Sequence, residues 1–280
     1  MNAASNWSTG RAPISGGYLV WHRTGGPKAP LVLVHGLTDN GLCWTRLALN
    51  MAERFDVVML DARGHDASAR MPAGEAPDPA QDLAEAVTAL GLTQPVMIGH
   101  SVGARAVARF AAAMPGCAAL VVLEDPPLLS PATASELKSR REQFQAHLAD
   151  LQAKTEEELV VLCRSQSPSW HELDLPAWAQ AKHQVDPRAV PQFSTPWQDD
   201  LAAIEVPTLL ISGKAALGSM VGSAEEATAK ALNPRIETVR IARAGHNIRR
   251  ENFADYRAVV NRFLRTDILM QNDNYQAGED

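Results

Sequence analysis

Residues 96–104 read Val-Met-Ile-Gly-His-Ser-Val-Gly-Ala, which places Ser101 in a G-x-S-x-G pattern with Gly99 and Gly103. An apolar run precedes the motif and a helical pattern follows it. In that context the serine is expected on a sharp strand-to-helix turn, with small neighbours to avoid collision. A serine so placed can attack a carbonyl carbon, provided that a base takes its proton. The helix that starts at Val102 would aim its N–H groups and positive dipole end at the oxyanion that develops. Residues 32–38 read Val-Leu-Val-His-Gly-Leu-Thr, a strand ending in His35-Gly36 about 65 residues before the serine. The backbone N–H groups of Leu37 and Val102 are therefore expected to hold the oxyanion.

Eight histidines are available as the base. His246 follows the last strand-like run, Glu237–Ile241, and precedes the last helical pattern, with Gly245 permitting a tight turn; it is assigned the role. His100 is expected to point away from the site and to pack. His35 is expected to brace the loop at Gly36, and His65 to be structural. His147, His171 and His183 read as surface residues of the cap, of which one could touch substrate.

The elements that must position these groups alternate. Strands are expected at Tyr18–His22, Leu31–His35, Asp56–Leu60, Val96–Gly99, Ala119–Leu123, Thr208–Ser212 and Glu237–Ile241. Several are apolar throughout, as strands buried on both faces of a parallel sheet are. Helical patterns fall at Leu42–Arg54, Pro79–Leu90, Val102–Met114, Ala224–Leu232 and Asn252–Leu264. Strands separated by helices imply right-handed crossovers in a doubly wound α/β sheet. The alternation stops after Pro126-Pro127. From Leu128 to Ile204 only helices are expected, at Ala134–Leu151, Glu156–Arg164 and Pro176–His183. The expected organisation is a sheet core of residues 1–127 and 205–270, a helical cap of 128–204, and a loose tail at 271–280, its polar run starting near Asp267.

Asp61-Ala62-Arg63-Gly64-His65, His35-Gly36, Gly99-His100-Ser101-Val102-Gly103 and Ala244-Gly245-His246 occur in an order and spacing that resembles the α/β-hydrolase fold superfamily. The likeness covers about residues 16–127 and 205–265. It implies an eight-stranded, mostly parallel sheet and a Ser–acid–His triad. Relatives commonly carry a second glycine where this chain has Asp66; Asp66 is expected to be a tolerated loop change, and Asp61 and Arg63 to pin that loop. Many relatives hold the triad acid after the Thr208–Ser212 strand, in a Gly-x-x-Asp pattern. Here Gly213–Gly218 contains no acid. The superfamily's other acid position follows the preceding strand, where Glu124 and Asp125 lie 23 and 24 residues past the serine. Strand neighbours face opposite sides, and Asp125 is nearer the carboxyl edge, where sites form in such sheets. Asp125 is preferred, with Glu124 as the alternative. Lactonases resembling zearalenone hydrolase place their acid in this way.

Trp44, Trp170, Trp178 and Trp197 are candidate substrate-binding residues, and indoles beside a nucleophilic serine suit an apolar or aromatic small molecule. The expected activity is a cofactor-free, metal-free serine hydrolase acting on a carboxylic ester or lactone. Amides, carbamates and a C–C bond of a diketone use the same machinery. A non-catalytic binding protein on this fold is the reading from another class. Epoxide and haloalkane hydrolases need an aspartate where Ser101 stands.

The chain has 280 residues and a net charge of −6 from 26 basic and 32 acidic groups. That is a poor footprint for nucleic-acid binding. A chain this long buries roughly three quarters of its unfolded surface, so it needs no disulfide or metal staple. Cys43, Cys117 and Cys163 are dispersed and odd in number, which suits reduced thiols in the cytoplasm. The first residues lack the apolar core of a signal peptide, and no apolar run reaches the roughly 18 residues of a membrane span. The partner expected is a small-molecule substrate, neither nucleic acid nor membrane; monomer and homodimer both stay open.

Overall fold

The structure is a computed structural model that describes residues 7–74 and 78–276, with side chains to residue 265. Its eight strands are β1 (Ser8–Ile14), β2 (Gly17–Arg23), β3 (Pro30–Val34), β4 (Asp56–Leu60), β5 (Val96–His100), β6 (Leu120–Glu124), β7 (Thr208–Ser212) and β8 (Ile236–Arg240). They form one sheet in the order β1-β2-β4-β3-β5-β6-β7-β8. β1 and β2 form an antiparallel hairpin, β2 pairs antiparallel with β4, and every pairing from β4 to β8 is parallel. This is the doubly wound α/β-hydrolase architecture.

Period-2 alternation explains the apolar runs. In β3, Val32 and Val34 join one core layer with Val58, Met97, Val121 and Leu123, while Leu31 and Leu33 join the other with Met59, Ile98, Val122 and Ile211. Each such fully buried side chain contributes about 1.5–3 kcal/mol of transfer free energy. β1 is absent from the strands the sequence predicts. Its Gly10 and Pro13 have low strand propensity, and an edge position tolerates both. Gly10 also leaves room for Trp21, since a Cβ there would sit 2.2 Å from the indole.

The helices are α1 (Thr45–Met51), α2 (Pro79–Ala89), α3 (Val102–Ala113), α4 (Ala134–Gln152), α5 (Glu156–Gln166), α6 (Leu175–Gln184), α7 (Trp197–Ala203), α8 (Ser223–Leu232), α9 (Ile248–Glu251) and α10 (Phe253–Gln276). The helix expected over Leu42–Arg54 is divided: the Asn40 side chain accepts from Cys43 N and caps a 3-10 turn at Gly41–Trp44 before α1 begins.

Four helices, α4 to α7, lie between β6 and β7. Capping boxes at Thr133/Glu136 and Thr155/Glu158 start α4 and α5, which satisfies N–H groups the helix itself leaves open. α4, α5 and α6 contribute to two small apolar clusters, one of Phe144, Leu148 and Val185 with Met71 and Leu37 and one of Leu151, Leu159 and Ala179. α7 differs: Trp197, Leu201 and Ile204 pack into the main layer beside the sheet. α10 runs to Gln276, into the stretch expected as a loose tail, and residues 277–280 lie outside those described. Among the described residues, no helix is long and apolar enough to cross a membrane.

Candidate active site

Ser101 occupies the turn between β5 and α3 with φ 53° and ψ −124°. A positive φ in a non-glycine residue is strained and persists only where its surroundings impose it. The tightness shows at Gly103, where a Cβ would lie 2.4 Å from the His35 carbonyl oxygen. The serine is 8% exposed, so its hydroxyl faces a cavity rather than bulk water.

His246 Nε2 lies 3.1 Å from Ser101 Oγ, and His246 Nδ1 lies 2.7 Å from Asp125 Oδ2. A carboxylate only accepts, so Nδ1–H donates to Asp125 and Nε2 presents its lone pair to the serine hydroxyl. Of the two acids, the structure brings Asp125 to His246. Glu124 ends β6 facing the other way, where it accepts from the Arg249 backbone N–H at 2.8 Å and from its guanidinium at 3.2 Å. Burial pushes the Glu124 carboxyl up, against the pull of Arg249.

The Asp125 carboxylate, wholly buried, has three more donors. Ser219 Oγ (2.6 Å) and Val221 N (3.0 Å) donate to Oδ1, and Met220 N (2.8 Å) donates to Oδ2. Residues 213–222, the loop without an acid, thus supply hydrogen bonds to an acid held on the neighbouring strand. Sequence reasoning missed Ser219; its one visible signal was a hydroxyl residue in a loop lacking a carboxylate.

The two peptide groups expected to hold the oxyanion, Gly36–Leu37 and Ser101–Val102, are each held by hydrogen bonds. The Gly36 carbonyl accepts from Asp39 N at 3.1 Å and from His35 Nδ1 at 2.8 Å. In a trans peptide the C=O and the next N–H point in opposite directions, so fixing the Gly36 oxygen also fixes the Leu37 N–H. The Ser101 carbonyl accepts from Arg105 N at 3.1 Å, which fixes the Val102 N–H in the same way. A Cβ on Gly36 would approach His100 Nδ1 to 2.8 Å and Ser101 Cβ to 3.3 Å, so glycine lets the two loops meet.

His35 braces this loop as expected. Ala62 N donates to its Nε2 at 2.9 Å, and burial lowers its pKa to about 4, helped by His65. His65 Nε2 lies 2.7 Å from the Leu37 carbonyl. Asp61 accepts from Gly41 N at 2.6 Å and is 3.1 Å from His22 Nε2; Arg63 pairs with Asp82 at 2.7 Å and donates to Ser15 O. Asp66 sits at φ 43°, a left-handed position that glycine favours and aspartate tolerates. Among the described residues, His22, Asp61 and Asp66 bring three possible metal-ligand atoms within 4.8 Å, but His22 and Asp61 are already engaged in holding this loop.

His100 departs from expectation. Its ring lies 4.8 Å from that of His246, and its Nε2 donates to the His246 carbonyl at 3.1 Å. Burial, reinforced by Arg249, keeps it neutral with a pKa well below the usual range.

A cavity of about 630 Å³ opens over Ser101, His246, Leu37 and Val102. Trp170 and Trp178 line it, ring to ring at 6.0 Å. Trp44 and Trp197 do not. Trp44 is 1% exposed within the core layer of Leu31 and Leu33, capped by the Arg249 guanidinium at 4.0 Å. Trp197 starts α7 inside the main core. The cavity wall also carries buried charge. Asp39 contacts Arg250 at 2.9 Å, Arg249 at 3.1 Å and Lys182 at 3.5 Å. Burial would raise Asp39, but the three cations outweigh it and hold the carboxyl well below the usual range.

Residues 31–262 match the alpha/beta hydrolase family. The chain belongs to that family. Among relatives of this hydrolase, the N-formylmaleamate deformylase of Pseudomonas putida is 28% identical over 254 residues, covering 86% of this chain and 91% of its own length. A non-heme haloperoxidase of Rhodococcus erythropolis is 29% identical over 250 residues, covering 80% and 88%. A solved E-2-(acetamidomethylene)succinate hydrolase shares the fold, with a TM-score of 0.72 at 19% identity over 92% of this chain and 99% of that one. The family and these relatives make this chain a hydrolase by kinship.

Proposed function

We propose that the chain is a serine hydrolase that cleaves an amide or ester bond of a small carboxylic-acid derivative through an acyl-enzyme on Ser101. Ser101 Oγ attacks the carbonyl carbon as His246 Nε2 takes the hydroxyl proton. The Leu37 and Val102 N–H groups hold the oxyanion, and Asp125 stabilises the imidazolium. The intermediate collapses, the bond to nitrogen or oxygen breaks, and His246 gives its proton to the departing amine or alcohol. Water, deprotonated by His246, then attacks the acyl group, and the carboxylate leaves with Ser101 restored.

The observation that carries this reading is the continuous hydrogen-bond chain from Ser101 through His246 to Asp125. The relative matched along most of its length is named for removing a formyl group from an amide nitrogen, which favours amides as the first class to assay. Esters and lactones follow, because they need the same steps with an easier leaving group. Trp170 and Trp178 give the cavity apolar walls for the body of the substrate.

A fluorophosphonate probe should label the protein at Ser101, and Ser101→Ala should abolish labelling. Folded protein that stays unlabelled would instead favour a ligand-binding role. Comparison of kcat/KM across formamides, acetamides, esters and lactones then ranks the substrate classes by transition-state binding.

A further inference from the structure

Four cationic side chains in the cavity wall, Arg105, Arg140, Lys182 and Arg250, are not used by the chemistry at Ser101, and Arg105 is paired with Asp200. Arg250 and Lys182 are 2% and 1% exposed and both line the cavity. They belong to a buried cluster in which three cations, Lys182, Arg249 and Arg250, contact two carboxylates, Asp39 and Glu124. Glu124 contacts Arg249, which leaves Asp39 shared among all three. A buried cation without its own counter-charge is expensive; in direct contacts the cluster is one negative charge short, and the next carboxylate, Asp174, is paired with Arg46.

Unpaired donors mark where that charge is missing. Arg250 Nε and Trp170 Nε1, on residues that line the cavity, are buried and have no hydrogen-bond acceptor, as is the case for Arg249 Nε, whose residue does not line it. The Arg250 guanidinium stacks on the Trp170 ring at 4.7 Å, and the Lys182 ammonium lies 4.6 Å over the Trp178 ring. The remaining Arg250 and Lys182 contacts go to Asp39, Asn247 and Thr38. Most buried polar groups in proteins are satisfied; two orphaned donors beside an excess cation in one cavity wall match the needs of a planar anion with two acceptor oxygens.

We propose that Arg250, Lys182 and the Trp170 indole N–H form a carboxylate-binding subsite in the wall of the Ser101 cavity. The substrate then carries a free carboxylate besides its scissile bond, and the subsite sets which end of it enters first. This deepens the reading of Ser101 as the nucleophile and rests on it for the word substrate, but binding of the anion can be measured without turnover.

The test uses Ser101→Ala protein and calorimetric titration with acetate, succinate and glutarate, each beside its methyl ester. At least one carboxylate should bind ten times more tightly than its ester. Trp170→Phe, which keeps the ring under Arg250 but removes the N–H, should weaken that carboxylate about tenfold, and Lys182→Met by a similar factor. If no carboxylate outperforms its ester, or if Trp170→Phe and Lys182→Met both bind it as Ser101→Ala alone does, the subsite is refuted. Should Lys182→Met fail to fold, Trp170→Phe decides alone. Carboxylate binding in a protein that resists the fluorophosphonate probe would keep the subsite and remove the hydrolase reading; labelling without carboxylate binding would do the reverse.

Discussion

Ser219 Oγ donates to Asp125 Oδ1 at 2.6 Å, joining two residues 94 positions apart. The same hydroxyl accepts from Gly213 N at 3.0 Å, so it ties the loop after β7 to the carboxylate at the end of β6. In many alpha/beta hydrolases that loop holds the acid; here it holds the donors that orient one. Ser219→Ala should therefore reduce kcat about tenfold, the effect of roughly 1.4 kcal/mol, with KM little changed. Steady-state kinetics on any substrate found in the panel would check this, and an unaltered kcat would show that the two backbone N–H groups suffice.

Asp125 and Glu124 should separate by phenotype. Asp125→Asn is expected to fold normally and to lose about 10³–10⁴-fold in kcat, because the imidazole is then held in the wrong tautomer. Glu124→Ala leaves Arg249 facing an empty buried site and should destabilise the fold by about 3–5 kcal/mol. Denaturant melts and kinetics on both variants test the pair; a stable, inactive Glu124→Ala protein would contradict the assignment.

Gly36→Ala places a methyl group against His100 and Ser101. The loop that presents the Leu37 N–H must retreat, and loss of one oxyanion donor lowers the rate about 10²–10³-fold. The expected signature is a fall in kcat with fluorophosphonate labelling slowed in parallel. Normal labelling would show that the loop absorbs the methyl group elsewhere.

Acid should destabilise the protein through His35. Its folded pKa of about 4 lies below its ordinary value of 6.5, so the unfolded chain binds more protons between those values. Stability is full above about pH 6.5 and falls as pH drops towards 4, by about 3 kcal/mol for this group. The structural reason is that protonated Nε2 can no longer accept from Ala62 N. Denaturant midpoints at pH 7 and pH 4.5 should differ less in His35→Gln than in the native protein. An equal difference would assign the acid sensitivity to the other buried histidines.

Trp44→Ala should act on stability, with about 3–5 kcal/mol lost. Trp178→Ala should act mainly on KM. Thermal melts beside kinetics distinguish the two, and a raised KM without destabilisation in Trp44→Ala would return that indole to the substrate site.

The parallel strands are legible in continuous Val, Leu and Ile runs, which can be buried only between two helical layers. The sequence also marks Ser101, Leu37, Val102 and His246 as candidate site residues, because their glycine-flanked turns leave the backbone little choice. Strand alternation meant that only one of Glu124 and Asp125 could face His246, and Asp125 was preferred for its place nearer the carboxyl edge. β1 was not legible, since its pairing with β2 overrides weak intrinsic propensity. Nor was the fate of the tryptophans, whose composition suits core and cavity alike. Packing of the layers puts Trp44 and Trp197 in the core while Trp170 and Trp178 face the cavity. It alone brought Ser219 to Asp125 across 94 residues and gathered Asp39, Lys182 and Arg250 into one wall. Local spacing encodes turns and alternation; contacts between distant segments depend on how the layers pack, and no single stretch of sequence carries that information.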